Sequence, residues 1–89
     1  MYKVDFTATA KKDLKKLPIE VSERVIHALL KIRDDPFSHI NRLKISSDAP
    51  MYYMRVGDYR IIMTIEKANL LIMVVEIGHR SVIYRKYKR

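Results

Sequence analysis

The segment from Leu70 to Ile77 is almost continuously apolar, and it constrains the fold more than any other part of the chain. A run of this kind is typical of a strand that is buried on both faces of its sheet. We therefore expect a central strand here, with the other elements packed around it. Gly78 is expected to end the strand. The run is far too short to cross a bilayer.

The residues before this segment predict a β-hairpin. Apolar residues alternate with polar or aromatic ones in 53–56, Gly57-Asp58 is a turn signal, and residues 59–66 form the returning strand. Because side chains alternate between the faces of a strand, the odd-numbered residues from 59 to 65 share one face and the even-numbered ones share the other. Arg60 is therefore expected to point away from the core that the helices cover.

The first third of the chain predicts one strand and two helices. Residues 2–6 alternate like a half-buried strand, and Thr7 or Thr9 can cap the helix that follows. Pro18 ends this helix and starts the next. Apolar residues then recur at helical spacing over 19–33, which predicts an amphipathic second helix.

The remaining segments complete an α+β fold class. Asp35-Pro36 is expected to stop the second helix, and residues 36–50 predict a loop with room for a short strand around Leu43. Residues 82–84 fit either a short last strand or one turn of helix. The predicted order is βααβββ, with an optional further strand. Two N-terminal helices then pack on a mostly antiparallel, curved sheet in a single domain, residues 1–89.

The charge of the chain favours polyanionic partners. Its formal net charge is +8 and its pI is about 9.9, and the basic residues concentrate at the C-terminal end. We interpret Lys86 to Arg89 as a solvated charged tail. There is no cysteine, so disulfides and zinc-thiolate sites are excluded, and a cytoplasmic location is expected. Histidine spacing predicts no metal site, glycine spacing predicts no phosphate loop, and no cofactor is expected.

Arginines on the predicted hairpin suggest an anion site. Arg55 lies across the turn from Arg60, and like charges on neighbouring strands destabilise a sheet. Unless Asp58 or Glu76 compensates, a phosphate is the natural counterpart of these guanidinium groups. Arg80 follows the central strand and adds a third cation.

The same region carries groups that suit metal-free RNA cleavage. That reaction needs in-line attack by the 2′-hydroxyl, cations that stabilise the phosphorane, and groups that move protons. Arginines suit the second task. His79 and the tyrosines suit the third, although His79 equally fits a surface residue at a strand end. Tyr53 and Tyr84 flank the cationic face and can stack on unpaired bases, or serve as ordinary strand aromatics.

Two motifs resemble the RelE branch of the RelE/ParE toxin superfamily. They are Arg55-Val56-Gly57-Asp58-Tyr59-Arg60-Ile61-Ile62 and Glu76-Ile77-Gly78-His79-Arg80, followed by Val82-Ile83-Tyr84-Arg85. Lys16-Leu17-Pro18 and Arg42-Leu43-Lys44 are also similar, so the resemblance covers nearly the whole chain.

The resemblance implies a toxin of a type II toxin–antitoxin pair that enters the ribosomal A site and cuts mRNA there. By position, Arg60 and Arg80 match phosphate-binding and transition-state arginines, and Tyr84 matches a catalytic or base-stacking tyrosine. The RNA-binding positions implied are Lys44, Arg55, Tyr53 and Arg85. The resemblance differs at Tyr53, where well-studied members have a lysine, and His79 is then a candidate for proton transfer.

Two other functions remain open from the sequence. One is a ParE-like toxin that inhibits DNA gyrase without nuclease activity, and the other is a noncatalytic RNA-binding domain. Both toxin interpretations imply a RelB-like antitoxin that covers the basic surface with an acidic or amphipathic segment. The nuclease interpretation also implies the ribosome and mRNA as partners, without a membrane or a small-molecule substrate.

Overall fold

The computed structural model describes residues 1–44 and 49–87. The elements, in chain order, are β1 (Lys3–Phe6), α1 (Ala8–Lys16), α2 (Ile19–Lys31), a 3-10 turn (Pro36–Ser38), β2 (Asn41–Arg42), β3 (Tyr52–Val56), β4 (Tyr59–Glu66), β5 (Leu71–His79) and α3 (Arg80–Tyr87). The α+β fold class is confirmed.

The two N-terminal helices begin and end where local chemistry requires. The side chain of Thr7 caps α1 and accepts a hydrogen bond from the backbone N–H of Ala10 at 3.1 Å. Pro18 precedes α2, as its fixed φ and missing N–H favour. The α2 helix ends at Lys31, a few residues before the stop predicted at Asp35-Pro36.

The strands form one sheet in the order β1-β5-β4-β3-β2. The β1–β5 pair is parallel and the other pairs are antiparallel. The run from Leu70 was predicted to form the central strand, but the middle strand is β4 and this run forms its neighbour β5. As expected of an interior strand, β5 is paired along both edges. The prediction that Gly78 ends this strand is wrong, because pairing continues to His79.

The main core lies between the sheet and helices α1 and α2. It contains the odd-numbered residues of β4 that the alternation predicts, with Ile61 and Met63 fully buried and Ile65 packed against them. The remaining buried members are Ala10, Val25, Leu29, Ile32, Met54, Val56, Ile72, Val74 and Ile77. The helices therefore cover one face of the sheet, as predicted.

A third helix, α3, covers part of the opposite face of the sheet. The sequence allowed either a short strand or one turn of helix for residues 82–84, and the structure has a helix there. Ile83 of α3 is buried, and its Cδ1 lies only 3.2 Å from the position that a Cβ on Gly78 would take. Gly78 thus lets α3 pack closely on β5. The order is βααββββα, and the optional further strand is β2 rather than an element at the C-terminal end.

Parts of two predictions lie outside the described residues. The predicted loop 36–50 contains the 3-10 turn and β2, but residues 45–48 are not described. The predicted tail Lys86 to Arg89 is corrected at its start, because α3 extends to Tyr87 and Lys86 forms a salt bridge. Residues 88 and 89 are also not described.

Candidate active site

A pocket of about 740 Å³ opens between α3, the sheet face that α3 covers, and the segment after β2. Its lining is cationic and aromatic, with a few apolar residues. The lining residues are Leu43, Lys44, Tyr53, Arg55, Arg60, Arg80, Ser81, Ile83, Tyr84 and Tyr87.

The hairpin places two arginines directly opposite each other. Arg55 of β3 and Arg60 of β4 are partners in the antiparallel register, so their side chains leave the same face of the sheet. Arg60 is half-buried, and its Nη1 donates to the carbonyl oxygens of Tyr59 at 3.1 Å and Gly57 at 3.3 Å. These carbonyls hold the guanidinium group without neutralising its charge.

Arg80 reaches the same pocket from another element. It is the first residue of α3, and its backbone N–H donates to the carbonyl oxygen of Asp58 in the hairpin turn at 2.7 Å. This bond ties the start of α3 to the β3–β4 turn. Arginines from β3, β4 and α3 therefore line one cavity.

Neither Asp58 nor Glu76 neutralises these arginines. Within residues 1–44 and 49–87 the only salt bridge joins Lys86 Nζ to Glu76 Oε2, at 2.7 Å. An arginine cluster that lacks a carboxylate partner is costly for folding, and an anion with oxygens that match the guanidinium fork relieves this cost. The pocket is therefore suited to a phosphodiester.

Six of the eight predicted site residues line the pocket. They are Lys44, Tyr53, Arg55, Arg60, Arg80 and Tyr84. Tyr53 is half-buried on β3, Lys44 is exposed just after β2, and Tyr84 is 66% exposed on α3. An exposed phenol ring on the wall of a cationic pocket can contact a base or a ribose.

The structure does not bring His79 and Arg85 into the lining. His79 is the partner of Tyr59 in the β4–β5 register and packs edge-on against its ring, so it lies on the face opposite Arg60. Its Nδ1 accepts the backbone N–H of Ser81 at 3.2 Å, in the manner of an N-cap for α3. Arg85 is exposed on α3, and its Nε donates to the carbonyl oxygen of Ser81.

The contact between Tyr87 and Glu76 was not predicted from the sequence. Tyr87 lines the pocket and donates its phenol hydrogen to Glu76 Oε1 at 2.7 Å. Burial raises the pKa of Tyr87 well above its ordinary value, and the hydrogen bond to Glu76 and its negative charge raise it further. Tyr87 reaches β5 because the segment Arg80–Tyr87 is a helix. The sequence left strand and helix open for residues 82–84, so the contact could not be anticipated.

The described residues contain no metal-binding constellation and no membrane-spanning helix. In residues 1–44 and 49–87, no three histidine or acidic side chains lie close enough together to hold a metal ion. No helix in this part of the chain is long and apolar enough to cross a bilayer. The cationic side chains that line the pocket are Arg55, Arg60, Arg80 and Lys44.

Arg55→Gln is expected to stabilise the fold. The change removes one of two opposed like charges, so we expect the free energy of unfolding to rise by about 0.2–1 kcal/mol in low salt and by less in high salt. Chemical denaturation of both proteins measures this. The matched control is Arg42→Gln, because Arg42 faces Tyr52 rather than a cation. Equal effects at both positions would show that Arg55 and Arg60 do not repel each other.

Comparison with known proteins identifies relatives of this chain. The sequence model of the family described as ParE toxin of type II toxin–antitoxin system, parDE, matches residues 4–84. Toxin RelG of Mycobacterium tuberculosis is 28% identical over 92 residues, which cover 96% of this chain and 98% of that toxin. The matched range includes both arginine motifs and Tyr84.

Solved structures share the fold. The toxin–antitoxin complex RelBE2 of Mycobacterium tuberculosis contains a chain that superposes with a TM-score of 0.80 at 26% identity, covering 89% of this chain and 98% of that chain. The archaeal RelE–RelB complex of Pyrococcus horikoshii gives a TM-score of 0.74 at 23% identity, covering 89% and 94%. These chains were solved together with their antitoxins.

Proposed function

The chain belongs to the ParE toxin family of type II toxin–antitoxin systems, within the RelE/ParE superfamily, and we propose that it is a ribosome-dependent mRNA endonuclease. In this proposal it cuts mRNA in the ribosomal A site and so inhibits translation. The observation that carries the proposal is the pocket in which Arg55, Arg60 and Arg80 meet with no ion pair to a carboxylate in residues 1–44 and 49–87.

The proposed reaction is transesterification within the RNA. The 2′-oxygen of one nucleotide attacks the adjacent phosphorus, the bond to the 5′-oxygen breaks, and the products are a 2′,3′-cyclic phosphate and a 5′-hydroxyl end. Negative charge grows on the non-bridging oxygens in the transition state. Preorganised guanidinium groups lower the barrier because they are already oriented toward that charge.

Each side chain has a role that follows from its place in the pocket. Arg60 and Arg80 stabilise the phosphorane from β4 and α3, while Arg55 and Lys44 hold the neighbouring backbone phosphates. Tyr53 stacks on a base. Tyr84 takes part in proton transfer at the 2′-hydroxyl, a role that His79 is poorly placed to fill because its ring lies with Tyr59 and its Nδ1 is engaged by Ser81.

The partner that controls such a toxin is a cognate antitoxin. The structural relatives in complex with RelB-type antitoxins support such a partner. An acidic or amphipathic segment laid over the arginine pocket would neutralise charges that no carboxylate in residues 1–44 and 49–87 pairs with. Added antitoxin is then expected to block cleavage by competing with RNA.

The proposal is tested with purified protein, programmed ribosomes and mRNA that carries a defined A-site codon. We expect cleavage within that codon, mapped by primer extension, and little cleavage of the same RNA without ribosomes. A control mRNA with a 2′-deoxy or 2′-O-methyl nucleotide at the cut site should stay intact, because it lacks the attacking hydroxyl. If the mRNA stays intact in the complete reaction, the nuclease proposal is disproved.

The second candidate function is gyrase inhibition. It is favoured by the family description, which names ParE toxin. In this case the chain would bind DNA gyrase as a protein and would not cut RNA. A supercoiling assay separates the candidates: loss of supercoiling with intact mRNA supports the ParE-like function, and cut mRNA with normal supercoiling supports the nuclease.

A further inference from the structure

Glu76 is a carboxylate on the face of the sheet that carries the arginines. In the β4–β5 register it is the partner of Ile62, and the next pair on that face is Arg60 with Gly78. Its side chain is only 14% exposed. Glu76 is therefore one register pair away from Arg60 on the same face, and a carboxylate left without partners there would be attracted to the guanidinium groups.

Both oxygens of Glu76 are instead occupied by α3. Oε1 accepts the phenol hydrogen of Tyr87 and Oε2 accepts Lys86 Nζ, each at 2.7 Å. Tyr87 and Lys86 belong to the last turn of α3, whereas Arg80 is its first residue and is tied to the hairpin turn through Asp58. The helix is therefore attached to the sheet at both ends.

The middle of α3 lies between these two attachments. Ile83 packs on Gly78, and Tyr84 projects from the next position of the helix into the pocket wall. A helix of eight residues has little stability of its own, because isolated helices of this length are marginal in water. Its contacts with the sheet must therefore fix its orientation.

We propose that Glu76 is a positioning residue of the active site, which anchors the last turn of α3 through Tyr87 and Lys86 and so sets the position of Tyr84 over the pocket. The same contacts keep the carboxylate away from Arg60. The catalytic part of this inference rests on the proposed nuclease function. Its structural part, the anchoring of α3, stands independently and is measured separately.

The structural part is tested by NMR on the free protein. In the wild type we expect a nuclear Overhauser contact between the Ile83 δ-methyl group and the Gly78 α-protons, and a Tyr87 ring signal that titrates at higher pH than a free tyrosine does. Glu76→Ala should weaken the contact, reduce amide protection in α3 and lower the titration midpoint of Tyr87. Glu76→Gln, which keeps an acceptor for the phenol, should keep most of the contact.

The control for these measurements is Glu66→Ala. Glu66 is also a carboxylate on the sheet and accepts a side-chain hydrogen bond at 2.7 Å, from Asn69, but it lies at the other end of β4. This variant should leave the Ile83–Gly78 contact and the Tyr87 titration unchanged. An unchanged contact and unchanged α3 protection in folded Glu76→Ala would overturn the inference.

The catalytic part is tested by single-turnover cleavage on the ribosome. Misplaced catalytic groups slow the chemical step, so we expect Glu76→Ala to lower the rate at saturation roughly ten- to a hundredfold, without weakening the binding of an uncleavable 2′-deoxy mRNA. Glu76→Gln should recover most of the rate. If Glu76→Ala cuts at the wild-type rate, positioning is disproved. If the wild type itself does not cut, the nuclease proposal has failed and the NMR contact alone decides whether Glu76 anchors α3.

Discussion

Arg60→Ala is expected to reduce mRNA cleavage on the ribosome by about 10²–10³-fold in the rate at saturation, the cost typical of losing one preorganised donor to an anionic transition state. The guanidinium group is held by the carbonyls of Gly57 and Tyr59 before substrate arrives, so little reorganisation is needed during the reaction. Binding of uncleavable mRNA should weaken less, because the other cations that line the pocket remain.

Two further variants show whether charge alone explains this effect. Arg60→Lys keeps the charge but loses the planar fork, so we expect an intermediate rate. Lys12 is an exposed residue of α1, which packs on the other face of the sheet. The Lys12→Ala variant loses one positive charge and should cut like the wild type. If Lys12→Ala slows cleavage as much as Arg60→Ala, the effect is one of net charge, and the pocket has no special role.

Ile62→Ala is expected to destabilise the protein by about 2–5 kcal/mol, although Ile62 is outside the main core cluster. Its side chain is fully buried on the face that carries Arg60 and Glu76, with Tyr53 and Glu76 as its neighbours in the register. Loss of this side chain leaves a cavity beneath the active site. In a domain of this size the melting temperature should fall by about 10 °C or more.

Thermal and chemical denaturation measure this effect, with Ile19→Ala as the matched control. Ile19 is 72% exposed at the start of α2, so the same chemical change there should alter the free energy of unfolding by less than about 0.5 kcal/mol. A loss at Ile62 no larger than the loss at Ile19 would show that α3 does not form a packed layer over this face.

Much of the sheet could be predicted because its sequence signals are local. The Gly57-Asp58 turn joins two alternating runs, and Gly57 adopts a φ of +58°, which glycine tolerates without strain. The same alternation assigned Ile61 to the core and Arg60 to the other face, as observed. Arg55 therefore lies opposite Arg60 because the two-residue turn sets the register.

The placement of α3 could not be predicted because it depends on contacts between distant residues. Residues 82–84 have no clear period, and the helix forms against the sheet through Ile83 on Gly78 and the bond from Arg80 to Asp58. Arg80 and Tyr84 were singled out from the sequence and their roles were implied by the resemblance, but it is the contacts of α3 that place them in the pocket with Arg60. Tyr87 was missed because a basic segment at the end of a chain resembles a solvated tail.

His79 shows the limit of arguing from residue type. A histidine beside Arg80 fits proton transfer in sequence, but the strand alternation sends its ring to the face of Tyr59. Its position between β5 and α3 suits it to accept the N–H of Ser81 and begin the helix. The sequence shows that His79 is able to transfer protons. The face of the sheet on which its ring lies follows only once β5 is known to extend to His79.

The central claim is that Arg60 and Arg80 act on one phosphodiester, and a double-mutant cycle in single-turnover cleavage tests it most directly. The rates of Arg60→Ala, Arg80→Ala and the double variant are compared with the wild type on ribosomes that carry the same A-site codon. Groups that act as a unit on one phosphate have non-additive effects. The double variant should therefore cut about as slowly as the slower single variant, and a rate reduced by the product of the two single effects would contradict the account.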